Sequence, residues 1–196
     1  MSRADKYSLL LLAGGKSKRM GADKAKLLYN GKTFVDNLLE KAEQLGITNI
    51  YLSGYSQAVG AAKLIQDLYP EVGPLGGIHA GLCQVQTPYC LVLPIDVPQM
   101  PVEFLSSLLT YHEEMIERNE NKQVPLLLER KEFLEPLIGI YPAVMAGFIE
   151  ERIQSQMLSV FRMVKAWGHE NYRCDIKESD IANINTKEEY ERLLKK

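Results

Sequence analysis

The chain has 196 residues, 46% of them hydrophobic and 24% charged, which suits one domain with a complete core. A net charge of −2 gives no electrostatic case for nucleic acid or an anionic membrane surface as partner. Three cysteines, Cys83, Cys90 and Cys174, lack CxxC spacing and indicate neither a disulfide framework nor a zinc site, so they are expected to be reduced and mostly packed.

Tyr7 to Ala13 is a continuous apolar run that ends in glycines, the pattern of a strand buried on both faces. It is too short for a signal-peptide core or a membrane span, and the cytoplasm is the expected compartment. Thr33, with Asp36 three residues on, caps a helix whose stripe is Phe34, Val35, Leu38, Leu39, Ala42 and Leu45, and Gly46 closes it. Asn49 to Ser53 reads as the next strand and Lys63 to Asp67 as a weaker one. Gly73 to Gln84 is a glycine-rich helix entered through Pro74.

Tyr89 to Leu93 is a second fully buried strand, broken by Pro94. Pro101 opens a helix with Leu105, Leu108, Leu109 and Met115 on one face; His112 shares that face and reads as a core histidine. Val124 to Leu128 and Leu137 to Tyr141 are strands around a polar turn at Glu129 to Glu132. Helices over Ala143 to Gln154 and Ser159 to Ala166, a strand over Tyr172 to Ile176, and a capping box at Thr186 to Glu189 complete the chain.

Alternating strands and helices predict an α/β fold: a single Rossmann-like domain, three layers deep, around a mostly parallel, mixed sheet. Ligands are then expected in the crevice beyond the strand C-termini. No repeat or linker divides the chain, so residues 1–196 are read as one domain.

The chemistry gathers after the first strand. Between Lys16 and Lys32 stand six cations against one acid, Asp23. Two tripeptides, Gly15-Lys16-Ser17 and Gly31-Lys32-Thr33, imitate a P-loop, but the glycine required five residues earlier is Leu10 in one case and Lys26 in the other. Nor does Gly14-Gly15 continue into a dinucleotide fingerprint. What remains is Ala-Gly-Gly at a buried strand's end, where bare amides can touch phosphate oxygens. Arg19 can fork onto a phosphate and Lys24 can act as a point charge. Asp96, between Pro94 and Pro98 after the second buried strand, can supply the carboxylate that magnesium takes alongside phosphate oxygens.

Leu12-Ala13-Gly14-Gly15-x-Ser17-x-Arg19-Met20-Gly21-x-Asp23-Lys24 resembles the signature loop of nucleotidyltransferases, and most closely that of the molybdenum cofactor guanylyltransferases. Gly73-Pro74-Leu75-Gly76-Gly77 resembles that family's GPLAG segment, Pro94-Ile95-Asp96-Val97-Pro98 its P-x-D-x-P, and Asn183-Ile184-Asn185-Thr186 its NxNT. The resemblance implies a nucleotide-diphospho-sugar transferase type of fold, with a nucleotide-binding half over about residues 7–100 and an acceptor-binding half over about 101–196. It implies transfer of GMP from GTP to the terminal phosphate of molybdenum-molybdopterin, with Mg2+ on Asp96, and transient contacts with proteins that deliver or receive the cofactor.

Catalytic roles fall by that resemblance on Arg19, Lys24 and Asp96, and nucleotide contacts on Leu12, Ala13, Gly14, Gly15, Lys24, Ser53, Asp67, Pro74 and Asp96. Ser53 stands where the family commonly has Asn, and replaces only part of that amide's hydrogen bonding. Asn183 and Asn185 have two readings, a turn that helps to cap the last helix or a place near the pterin substrate. Guanine rests on the LAGG form of the loop. CTP, a sugar or isoprenoid phosphate acceptor, and a nucleotide sensor without catalysis are the competing readings.

Overall fold

A computed structural model describes residues 1–14, 24–57, 59–118 and 123–195. Gly15 and Arg19 therefore lie outside the described residues, with the other loop positions from 15 to 23.

Seven strands form one sheet: β1 (Tyr7–Leu12), β4 (Asn49–Ser53), β5 (Lys63–Ile65), β6 (Tyr89–Pro94), β7 (Leu126–Arg130), β8 (Phe133–Pro142) and β9 (Glu170–Arg173), in the order β5-β4-β1-β6-β8-β7-β9. A two-stranded hairpin, β2 (Leu28–Tyr29) and β3 (Lys32–Thr33), stands apart. In the main sheet β8 alone runs against the other strands. The sheet is thus mostly parallel and mixed, as expected.

The helices are α1 (Arg3–Lys6), α2 (Phe34–Gln44), α3 (Pro74–Gln84), α4 (Val102–Glu117), α5 (Ala146–Gln154), α6 (Val160–Trp167) and α7 (Lys187–Leu194). Side chains alternate across the sheet, so Leu9 and Leu11 of β1 join α2 and α4 in one core while Leu10 and Leu12 join α3, α5 and α6 in the other. This is the three-layer sandwich. It explains why β1 and most of β6 read as unbroken apolar runs: every residue of β1 is buried.

The caps follow the sequence. Thr33 Oγ1 accepts from the Asp36 amide at 3.0 Å, and Thr186 and Glu189 form the reciprocal capping box of α7. The strand bounds shift. The weak strand ends at Ile65, before Asp67. The hairpin turns at Lys131 and Glu132 alone, both at positive φ, and its return strand begins at Phe133. The last strand is Glu170–Arg173 rather than Tyr172–Ile176, because its register is set by parallel pairing to Leu126–Glu129; Cys174 and Ile176 lie beyond it, packed against the core. Of the cysteines, Cys90 is buried, Cys174 half-buried and Cys83 exposed, so the expectation of mostly packed thiols holds fully only for Cys90.

His112 is a core residue, as expected. Its Nδ1 lies 2.9 Å from the Tyr7 hydroxyl, and its ring meets Tyr89 edge-on at 4.5 Å. Burial pushes its pKa down to about 4 from 6.5, with Lys6 adding to the effect. The unfolded chain therefore takes up a proton near pH 6.5 that the folded chain refuses until about pH 4, so stability is full above pH 6.5 and falls as the pH drops through that window. Urea unfolding should show a loss of about 2 kcal/mol between pH 7 and pH 5. His112→Gln should abolish most of that difference.

Candidate functional site

The three central parallel strands end together. Leu12 of β1 is level with Ser53 of β4 on one side and with Pro94 of β6 on the other. The chain leaves each strand with its neighbour's help: the Ala13 amide donates to the Ser53 carbonyl at 2.9 Å, and the Ile95 amide to the Leu12 carbonyl at 3.2 Å. The turn after β1 and the turn after β4 meet backbone to backbone. A Cβ on Gly54 would lie 2.5 Å from the Cα and N of Gly14, and Gly54 also holds φ +75°.

Two adjoining clefts open on this edge and share Leu12, Gly14 and Pro74. The larger, about 530 Å³, is bounded by Lys24, Asp96, Leu137, Asn183, Asn185 and Glu189. The smaller, about 390 Å³, is bounded by Ser53, Asp67, Glu71 and the N-terminal turn of α3 from Gly73 to Gly77. Every predicted site residue among the described ones lines one of the two. Gly15 and Arg19 lie outside the described residues.

In the larger cleft Lys24 Nζ donates to Asp96 Oδ2 at 2.9 Å and to Asn185 Oδ1 at 2.5 Å. The pair is 16% and 15% exposed, which makes the attraction stronger than on an open surface. Asp96 Oδ1 is buried and has no hydrogen-bond partner among the described residues. A buried carboxylate oxygen without a donor is a costly vacancy in a protein, and a cation is one way to fill it. No group of three or more His, Cys, Asp or Glu among the described residues could hold a metal by itself. The donor set fits only an ion that accepts a single protein carboxylate and completes its shell from ligand oxygens and water, the habit of magnesium at phosphate sites.

The structure bears on the capping reading of the asparagines and places both residues on the larger cleft. The Asn185 amide donates to Glu189 Oε2 at 2.6 Å, beside the Thr186 amide at 2.9 Å, so Asn185 belongs to the cap of α7. Its side chain nonetheless reaches Lys24, and Asn183 lines the same cleft. The segment is tied to the acid directly, since the Ile184 amide donates to the Asp96 carbonyl at 2.9 Å. In the smaller cleft Ser53 Oγ donates to Asp67 Oδ1 at 2.7 Å and spends its single proton there.

Leu137 and Glu189 of the larger cleft carried no functional signal in the sequence, nor did Glu71 of the smaller. Leu137 gets there through an irregular strand. Leu127 pairs with Gly139 but the next residue, Leu128, pairs with Glu135, which leaves Pro136, Leu137 and Ile138 bulged out of β8. His79 stays out of both clefts; it is buried against the Tyr69 ring at 5.4 Å, with Nε2 3.5 Å from Cys83 Sγ.

The sequence pattern of the MobA-like NTP transferase domain matches residues 9–167. The chain belongs to this family and is a nucleotidyltransferase. It is 32% identical over 184 residues to the molybdenum cofactor guanylyltransferase of Pseudomonas fluorescens strain SBW25, an alignment covering 91% of this chain and 89% of that one. Its fold is similar to that of molybdopterin-guanine dinucleotide biosynthesis protein A from Archaeoglobus fulgidus, with a TM-score of 0.75 and 23% identity over 95% of this chain and 96% of the other. The fold also matches 4-diphosphocytidyl-2C-methyl-D-erythritol synthase from Anaerococcus prevotii, with a TM-score of 0.69 and 10% identity over 98% and 97% of the two chains. No helix among the described residues is long and apolar enough to cross a membrane.

The Gly14–Gly54 contact makes a graded prediction. Gly46→Ala carries the strain of positive φ alone, with open space around the new methyl, whereas Gly54→Ala adds a collision with backbone. Urea unfolding should find Gly54→Ala the more destabilising by about 1–3 kcal/mol. Equal losses for the two variants would mean that the two turns do not need to touch.

Proposed function

We propose that this chain transfers GMP from GTP to the terminal phosphate of molybdenum-bearing molybdopterin and releases pyrophosphate. The observation that carries this reading is the Lys24–Asp96–Asn185 cluster, set in the larger cleft, with Asp96 Oδ1 unpartnered among the described residues. The nucleotide-binding half then occupies about residues 7–100, and the acceptor enters from the side of Leu137, Asn183 and Glu189.

The attacking group is a phosphate oxygen and already an anion, so no general base has to remove a proton. The site must align two highly charged groups and offset their repulsion. With the Ala13 amide already given to the Ser53 carbonyl, the backbone at Gly14 and Gly15, with Arg19 and Lys24, holds the triphosphate and stabilises the departing pyrophosphate. Asp96 would hold Mg2+, which would supply neutralisation of phosphate charge. Asn185 steadies Lys24 from the acceptor side.

Guanine finds support in the name of the Pseudomonas relative and in the chemistry of the smaller cleft. Asp67 is an acceptor-only carboxylate, and guanine offers neighbouring donors on N1 and N2. Ser53 fixes one Asp67 oxygen and leaves the other for the base. Asp96 and Lys24 together also favour catalysis over sensing, because a protein that only binds nucleotide has no use for a half-coordinated metal carboxylate.

The test is a panel of GTP, CTP, ATP and UTP with Mg2+, read by thermal shift and by pyrophosphate release in the presence of the pterin acceptor. GTP should stabilise the chain most, and release should require both Mg2+ and acceptor. Preferential stabilisation by CTP would reassign the base, and binding indifferent to Mg2+ without release would make the chain a sensor. Lys24→Ala and Asp96→Ala should each lower the rate about 100-fold or more, and near-normal turnover in either folded variant would defeat these roles.

A further inference from the structure

The loop that carries Asp96 is held from both sides by groups outside the cleft. On one side the Ile184 amide donates to the Asp96 carbonyl at 2.9 Å. On the other, Lys41 of α2 reaches under the loop and donates from Nζ to the Pro98 carbonyl at 2.8 Å. One turn earlier on the same face of α2, the Asn37 side chain donates from Nδ2 to the carbonyls of Tyr29 at 3.0 Å and Thr33 at 2.9 Å, in the hairpin that follows Lys24. A single helix face therefore grips the exits of both segments that bear the ion pair.

The placement of Lys41 is costly. Burial pushes its amine down to about 8, although Glu40 and Glu103 pull the other way. A solvating lysine would stay on the surface with its charge in water. This one gives up hydration for one carbonyl, two residues beyond the carboxylate on which the reaction turns.

We propose that Lys41 is a positioning residue: its bond to Pro98 locks the Pro94–Pro98 loop so that Asp96 Oδ1 is held ready for a divalent cation. The inference rests on the metal role assigned to Asp96 above. Lys41 touches no substrate in this scheme and acts through Asp96. Met is close to lysine in length and apolar, so Lys41→Met removes the bond while keeping the packing. It also relieves a partly buried charge, and the variant should fold.

Two measurements test this on the whole chain. The first is hydrogen exchange at the amides of Ile95, Asp96 and Val97 without ligand, which should quicken about tenfold in Lys41→Met while β1 stays as protected as in the wild type. The second is Mn2+ uptake in the presence of GTP, followed by electron paramagnetic resonance. Lys41→Met should weaken it about tenfold, the size typical of a lost outer-shell partner. In an Asp96→Asn background the same substitution should have no further effect, since both changes act on one ligand. Lys41→Arg, which keeps a donor, should lie closer to the wild type than Lys41→Met in both measurements.

Unchanged exchange in Lys41→Met, unchanged Mn2+ uptake, an additive effect with Asp96→Asn, or an Arg variant no better than Met would each overturn the inference and leave the metal role of Asp96 standing. A wild-type chain that takes up no Mn2+ with GTP would overturn both.

Discussion

The site depends on β1 being enclosed on every side. With β4 and β6 parallel to it at its two edges and helices over both faces, the strand has no freedom except at its ends. Its backbone hydrogen bonds are consumed laterally, and its side chains are consumed by two separate cores. Only where the strand stops can the chain offer amides to a ligand, and that point lies past Ala13, whose own amide still goes to the Ser53 carbonyl. Three strand ends then lie level, and the turns that follow must crowd one another. Gly54 against Gly14 is the result of that crowding, and the clefts lie on either side of it.

On this scaffold the electrostatics are self-contained. Lys24 and Asp96 neutralise one another in a partly buried place, and Asn185 occupies one of the ammonium protons that Asp96 cannot. Removing either charge leaves the other without its counterpart in a poorly hydrated cleft, where an unpaired charge is expensive. A bound triphosphate would offer Lys24 an anionic partner and a divalent cation would offer Asp96 a positive one, so each residue would have a replacement for its present partner. The pairing thus keeps both side chains ordered and correctly placed before any ligand arrives.

Much of this was legible in the residues. The runs Tyr7–Ala13 and Tyr89–Leu93 announced themselves as doubly buried strands because nothing polar interrupts them apart from Ser8, whose hydroxyl is satisfied by Thr87. Thr33 and Thr186 announced helix starts because a cap is local chemistry. Asp96 and Lys24 stood out because glycines, prolines and charges cluster around them, and the resemblance placed Ser53, Asp67 and Asn185. The parts that were not legible depend on pairing over long distances. The position of β9 is dictated by its neighbour β7, and the apolar residues Cys174 and Ile176 drew the expected strand two residues too late. Nothing in the sequence marks Lys41, since its spacing on the helix says nothing about a carbonyl contributed by residue 98.

The bulge in β8 sets the width of the larger cleft. Pairing between β8 and β6 stops at Gly139 opposite Val92, short of Leu93 and Pro94, because the three residues before Gly139 leave the sheet. The Tyr141 hydroxyl holds the departing segment by donating to the Pro136 carbonyl at 2.5 Å. A regular strand would continue the pairing along β6 toward the acid and narrow the larger cleft. The opening is therefore a matter of arithmetic in strand length, three residues on one side with no counterpart on the other. Within such a sheet, the width of the cleft can change by altering that count while the central parallel strands keep their register.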